Sequence, residues 1–421
     1  MEFNLFIYRK HLLSLDGLVM SNKLLECPIR ERVKEINSFL ESNATQKVKE
    51  DKEGKRVYWV IRNPRKRQEF KEKISERYQL NRVMNLLPRN TLISMVSEFD
   101  YFISELLNNI YRFNHDYIKS SQRAFNFQEI MAYGSLDEII DSVIEKEIEN
   151  VLRSSHSDQF SYLEKKFSIN TLKKFDSWGE FIELTERRNL FVHTNGRVSK
   201  QYLAVCEREK YKANANYGDV VHVDDEYLKK AHRIIYEVIF KLNHVILNVV
   251  LKKDSEKLNL INLQAINIVF DLLCREDYPL VDSLCEFLLS KDYSISSEKY
   301  KRTIIINQCL SLKYQGNDIY KKKIDALDWS SSSDLFILAR SCVLDEHENS
   351  CKILEKIMSS GLEDSGLARH SFHDWPLFKN LRTEKLFLEL YKKMYNESYD
   401  DISIVENEPQ TPEQEQTTCL D

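Results

Sequence analysis

Glycine and proline are scarce in this sequence, nine and seven in 421 residues. A chain so poor in turn formers and helix breakers argues against a many-stranded β fold and for long helices. The eight cysteines include no Cys-x-x-Cys pair, which removes the usual zinc and dithiol spacings. Cys274, Cys285 and Cys309 fall in apolar helical runs and read as reduced core thiols. No apolar run approaches the ~18 residues of a membrane span. The first residues carry Glu2 and Asn4, and their short apolar patch is broken by Arg9, Lys10 and His11, unlike a signal peptide. Together these absences point to a cytoplasmic chain with no membrane partner. An excess of positive charge is also missing: the net charge is -5, so any polyanion contact must be local. What is present is 42% hydrophobic and 30% charged residues, the balance of a globular chain of roughly two to four domains.

In chain order, residues 1–87 read as a basic segment, α+β in character. Phe3 to Tyr8 and Arg56 to Ile61 have strand-like patterns, and Glu31 to Leu40 is helical. Lys47 to Arg77 is dense in Lys and Arg, with Arg65, Lys66 and Arg67 directly after Pro64 and with Tyr58 and Trp59 nearby. Such a cluster could touch RNA backbone and bases. The acids interleaved through it make a solvated, charged helix the simpler reading. Pro88-Arg89-Asn90 marks an expected boundary. Beyond it lie apolar stripes at helical spacing: Leu92 to Ile110, a helix opened by Ser135 and Glu138 as a capping box, a short helix near Gln159 to Phe167, Trp178 to His193, and Leu228 to Val249 after Asp224. Residues 88–252 therefore read as one bundle of antiparallel helices. Residues 258–397 read as paired helices with short polar breaks, weakly similar to tetratricopeptide repeats. From 398 the chain is acidic and polar, with the composition of a disordered tail.

One stretch spaces chemically useful residues as if for a single site: Glu183-Leu-Thr-Glu-Arg187-Arg188-Asn189-Leu-Phe-Val-His193-Thr-Asn195-Gly196. On a helix Asn189 and His193 share a face one turn apart, with Arg188 adjacent. A guanidinium, an amide and an imidazole can together hold a phosphate and move a proton. Gly196 suits the left-handed position that ends a helix. No carboxylate–histidine constellation suggests a metal, and no motif suggests a cofactor.

Arg188-Asn189-Leu-Phe-Val-His193, late on a helix of an all-α domain and followed by another long helix, resembles the Arg-x(4–6)-His signature of the HEPN superfamily, in the form found in bacterial toxin and phage-defence proteins. Arg187 satisfies the spacing too; Arg188 is preferred because Asn follows it directly. Arg340 and His347 also match, but the residues between them read as packed core. The resemblance covers roughly 88–252. It implies a homodimer whose two motif helices build one cleft, and metal-independent cleavage of RNA that leaves 2′,3′-cyclic phosphate ends. Arg188, Asn189 and His193 are then the expected catalytic residues, and Arg187, Arg65, Lys66 and Arg67 the candidate RNA contacts. The alternative is a non-catalytic helical adaptor that dimerises and binds a protein, with the C-terminal helices as the place for a partner or trigger.

Overall fold

The computed structural model describes residues 3–51, 54–119, 124–291, 293, 295, 297–360 and 367–400. Among these the protein is mainly helical, with one two-stranded sheet. Its contacts divide it into two compact units, Met1–Lys252 and Lys253–Asp421.

The first unit is built on two long helices. Helix α1 (Ile7–Asn43) runs into strand β1 (Ala44–Asp51); β1 pairs antiparallel with β2 (Gly54–Ile61), and a 3-10 turn at Pro64–Lys66 leads into α2 (Arg67–Phe113). Two expectations are corrected here. Phe3 to Tyr8 is not a strand: α1 begins at Ile7, and Ile7, Tyr8, His11, Leu12 and Leu15 are buried at helical spacing. The alternation of Phe3, Leu5 and Ile7 imitates a strand, but the next turns of apolar residues outweigh it. Nor does Pro88 mark a boundary, because it lies inside α2. A mid-helix proline removes one backbone bond. At this point the helix is held from outside by α1, where buried Thr91 donates to Asn22 Oδ1 at 3.2 Å. Residues 88–252, expected as a bundle by themselves, therefore share their core with α1: the Tyr8 ring lies 6.2 Å from that of Phe240.

Short helices α3 (Phe127–Ala132), α4 (Leu136–Leu152), α5 (His156–Phe167), α6 (Trp178–Thr194) and α7 (Lys200–Arg208) follow, then long α8 (Asp225–Val250). The capping at Ser135 differs slightly from expectation. Its hydroxyl accepts from the Glu138 amide at 3.2 Å, but the Glu138 carboxylate accepts from Gly134 N rather than from Ser135 N. Asp224 caps α8 through the Tyr227 amide at 2.7 Å. The core is a continuous apolar mass of α1, α2 and α8, lined by Leu15, Val96, Phe102, Ile103, Ile235 and Ile239.

The distal parts of α1 and α2 pack on each other and on the hairpin. There Ile36, Leu40, Ala44 and Phe70 form a small buried cluster, flanked by Phe39, Trp59 and Ile61. The stretch expected to be a solvated helix from Lys47 is instead a β-hairpin followed by the start of α2. Alternating Val57, Trp59 and Ile61 supply the β pattern that charge density obscures.

The second unit contains α9 (Ser255–Cys274), α10 (Tyr278–Leu288), α11 (Glu298–Tyr314), α12 (Ile319–Asp325), α13 (Asp334–Val343), α14 (His347–Ser360), α15 (Ser371–Asp374) and α16 (Lys385–Tyr395). Helix α10 packs on α9, α14 packs on α13 and α16, and α11 touches α9, α10, α12 and α13. Helix α9 is long and apolar enough to cross a membrane by length and composition, contrary to the count from sequence; it is partly buried here against α10 and α11. The tail from 401 lies outside the described residues.

Candidate functional site

Helix α6 is fixed by an aromatic cluster. Phe181 meets Phe99 of α2 edge-on at 5.0 Å, and Trp178 packs on Phe160 of α5 at 4.8 Å. These rings set α2, α5 and α6 in register, and at the edge of the cluster three polar groups meet. Arg188 Nη2 donates to Asp100 Oδ2 at 2.8 Å, while His156 Nε2 lies 3.1 Å from Asp100 Oδ1. The Asp100 carboxylate thus bridges the candidate arginine and a buried histidine. Asn189 Nδ2 reaches Glu186 Oε1 at 3.4 Å. Burial pushes the Glu186 carboxyl above the usual carboxylate range, against the pull of His156, Asn189 and Arg188.

His193 stands elsewhere. It is exposed in the last turn of α6, beside exposed Val192. Five residues of α-helix place it about 140° around the axis from Arg188. Within one chain, then, Arg188 is gathered toward Asp100 and His156, whereas His193 faces solvent. Asn189 shares the helix face of His193 and is half-buried.

Arg187 has a different occupation. Its Nε donates to Glu183 Oε1 at 2.7 Å, its Nη1 to the His222 carbonyl at 2.8 Å, and its guanidinium lies 4.1 Å from the Tyr227 ring centroid. Glu183 is only 2% exposed and also accepts from Tyr202 Oη at 2.6 Å and Tyr227 Oη at 2.7 Å. This network ties α6 to α7 and α8 and gives Arg187 a structural occupation. Arg65 and Arg67 are exposed, and Lys66 lies over the Phe39 ring at 5.5 Å; Arg65 and Lys66 belong to the turn after the hairpin, and Arg67 opens α2. Arg340 pairs with Asp325 at 2.9 Å, and His347 faces Glu384 at 3.6 Å, so that second match is built into the packing of the other unit.

The end of α6 is shaped by two left-handed residues, Asn195 (φ 53°) and Gly196 (φ 82°). Gly196 N donates to the Leu190 carbonyl at 3.0 Å, and its own carbonyl accepts from Val221 N at 2.9 Å. A Cβ at 196 would sit 3.0 Å from the Phe191 ring and from Val221 O. Arg89 of α2 closes the same end: it donates to the Phe191 carbonyl and to Asn195 Oδ1, and lies over the Phe191 ring at 5.3 Å. A cation there satisfies the orphan carbonyls of a helix C-terminus.

Asp100, His156 and Arg89 were not singled out from sequence. Asp100 is 88 residues from its arginine, and no local pattern marks that pairing. His156 directly follows a helix cap, Ser155, which is a readable signal for the helix but not for the role. Among the described residues no group of three His, Cys, Asp or Glu is placed to hold a metal ion. No family model, curated protein or solved structure matches this chain.

Proposed function

We propose that this protein is an endoribonuclease that cleaves RNA by attack of the 2′-hydroxyl on the adjacent phosphate. The observation that carries the reading is the Arg188-Asn189-x3-His193 motif on the last turns of a bundle helix, with an exposed imidazole at its end. The nucleophile belongs to the substrate, so the protein need only orient the phosphate, offset its charge and move two protons. The 2′ oxygen forms a bond to phosphorus and gives up its proton to a base. The bond to the 5′ oxygen breaks, and that oxygen receives a proton from an acid. The ends are a 2′,3′-cyclic phosphate and a 5′-hydroxyl. An imidazole can fill either proton role, and a guanidinium fork suits the phosphate. Because Arg188 and His193 leave α6 on different sides, the reading includes a homodimer in which two motif helices face one strand. Arg188 would then exchange Asp100 for phosphate when RNA enters.

Purified protein is expected to cut single-stranded RNA in EDTA and leave the all-deoxy strand intact. His193→Ala and Arg188→Ala are each expected to abolish cutting while the thermal melt stays near wild type. Mapping of the cleaved ends checks the chemistry, and 3′-hydroxyl ends would count against it.

A second reading is favoured by the Asp100–Arg188 ion pair itself, which gives the arginine a structural occupation in a single copy. On that reading the protein is a helical adaptor, its second unit binding a partner protein. Full biological function in a His193→Ala strain would decide for the adaptor.

A further inference from the structure

We infer that the β1–β2 hairpin and the turn that follows it form a surface that grips single-stranded RNA. The first observation is charge. Residues 44–73 hold eleven Lys and Arg against five Asp and Glu, an excess of six in a chain whose net charge is -5. The remaining 391 residues therefore carry -11.

The second observation is that five of these cations are not consumed by the fold. Elsewhere surface cations pair with carboxylates, as Arg32 does with Glu35 and Glu76 and Lys230 with Glu180, and at the end of the segment Lys73 pairs with Glu76. Among the described residues Lys47, Arg62, Arg65, Arg67 and Lys71 are all exposed, and none has a side-chain ion pair or hydrogen bond. Glu69 and Glu72 are the acids nearest them on α2.

The third is the register of the hairpin. Ala44 pairs with Ile61 and Gln46 with Trp59, and Trp59 and Ile61 pack against the Phe70 cluster. The alternate pairs, Thr45 with Val60 and Lys47 with Tyr58, are exposed. Two positions along, the register pairs Lys49 with Arg56. An exposed tyrosine beside a lysine on a ribbon backed by its own small core offers stacking for a base and charge for its phosphate. A duplex keeps its base faces to itself, whereas a single strand presents them. The choice of RNA over DNA rests on the reading of the α6 motif; the choice of a single strand rests on Tyr58.

The test uses the full chain carrying His193→Ala, so that bound strands stay intact, and labelled oligouridine of about 20 nucleotides, long enough to span such a site. Fluorescence anisotropy is followed across a salt series. Replacing Lys47, Arg62 and Arg65 together by Gln is expected to weaken binding at least about tenfold and to reduce the salt slope by about 2. Tyr58→Ala is expected to lose about tenfold, and Arg62→Lys with Arg65→Lys to retain binding. Lys385→Gln with Lys393→Gln, in the other unit, serves as the control and should change nothing. Matching circular-dichroism melts show that the exposed substitutions leave the fold in place. Unchanged binding in the triple variant, or no binding of oligouridine by the parent, overturns the inference. Tighter binding of oligodeoxythymidine or of duplex RNA overturns the assignment to single-stranded RNA. The two readings fail separately. Binding that depends on the hairpin in a protein that cuts nothing sinks the nuclease alone, and cutting indifferent to the hairpin sinks the grip alone.

Discussion

Arg187 and Arg188 are neighbours in the chain and opposites in their surroundings. Removing Arg187 leaves Glu183, a buried carboxylate, with two tyrosine hydroxyls and no cation. Arg187→Ala is expected to cost about 2–4 kcal/mol in a urea melt, since breaking one side of a buried pair leaves its charge uncompensated. Arg188→Ala leaves Asp100 partly solvated and still beside His156, and should cost about 1 kcal/mol or less. The preference for Arg188 over Arg187 was available in the sequence only through the following Asn; the carboxylates that separate the two roles lie on the same turn for one and 88 residues away for the other. A different residue sets part of the pH response. His244 is fully buried between the rings of Phe240 and Tyr8, and burial lowers its pKa to about 3. The unfolded chain takes up that proton near ~6.5, so below this pH the unfolded state binds more protons than the folded one. The stability held by neutral His244 is complete above ~6.5 and falls toward about 3, by up to about 1.4 kcal/mol per pH unit. Urea melts at a series of pH values should show His244→Leu with a shallower acid slope than wild type.

Among the elements, the turn after α6 gives the sharpest test of local geometry. Gly196 combines a left-handed φ with van der Waals walls from Phe191 and Val221. Gly196→Ala should therefore cost about 1–3 kcal/mol in thermal unfolding. The Thr-Asn-Gly signal for this helix stop was readable, as were the Asp224 cap and the long apolar stripe of α8, because capping and periodicity are local properties. What was not readable was how α2 treats its proline. Local chemistry favours a break at Pro88, and the packing of Asn22 and Thr91 from two helices overrides it. The hairpin was half legible: Arg56 to Ile61 carries the alternation of a strand, while half of its partner Ala44–Asp51 is charged, and that strand shows its pairing only in three dimensions.

At the scale of the molecule, division at Lys252 and Lys253 gives a direct prediction. Residues 1–252 expressed alone should be helical and melt cooperatively, because their core of α1, α2 and α8 is complete within that unit. Residues 88–252 alone should not, since they lack α1 and expose Phe102, Ile103 and Phe240. Circular dichroism and a thermal melt of the two fragments distinguish these outcomes. The mainly α class was evident from the shortage of glycine and proline, but the boundary expected at 87 was not real, because the sharing of one core by distant helices leaves no mark in local composition.

The unbroken course of α2 has a mechanical corollary. Arg67, beside the hairpin, and Asp100, which holds the guanidinium of Arg188, ride on one rod about 50 Å apart. Arg89, which clasps the end of α6, rides on it between them. A pull on the ribbon is thus borne by the same beam that carries the fastening of the motif arginine, and where Pro88 leaves that beam one backbone bond short, the contact of Thr91 with Asn22 braces it.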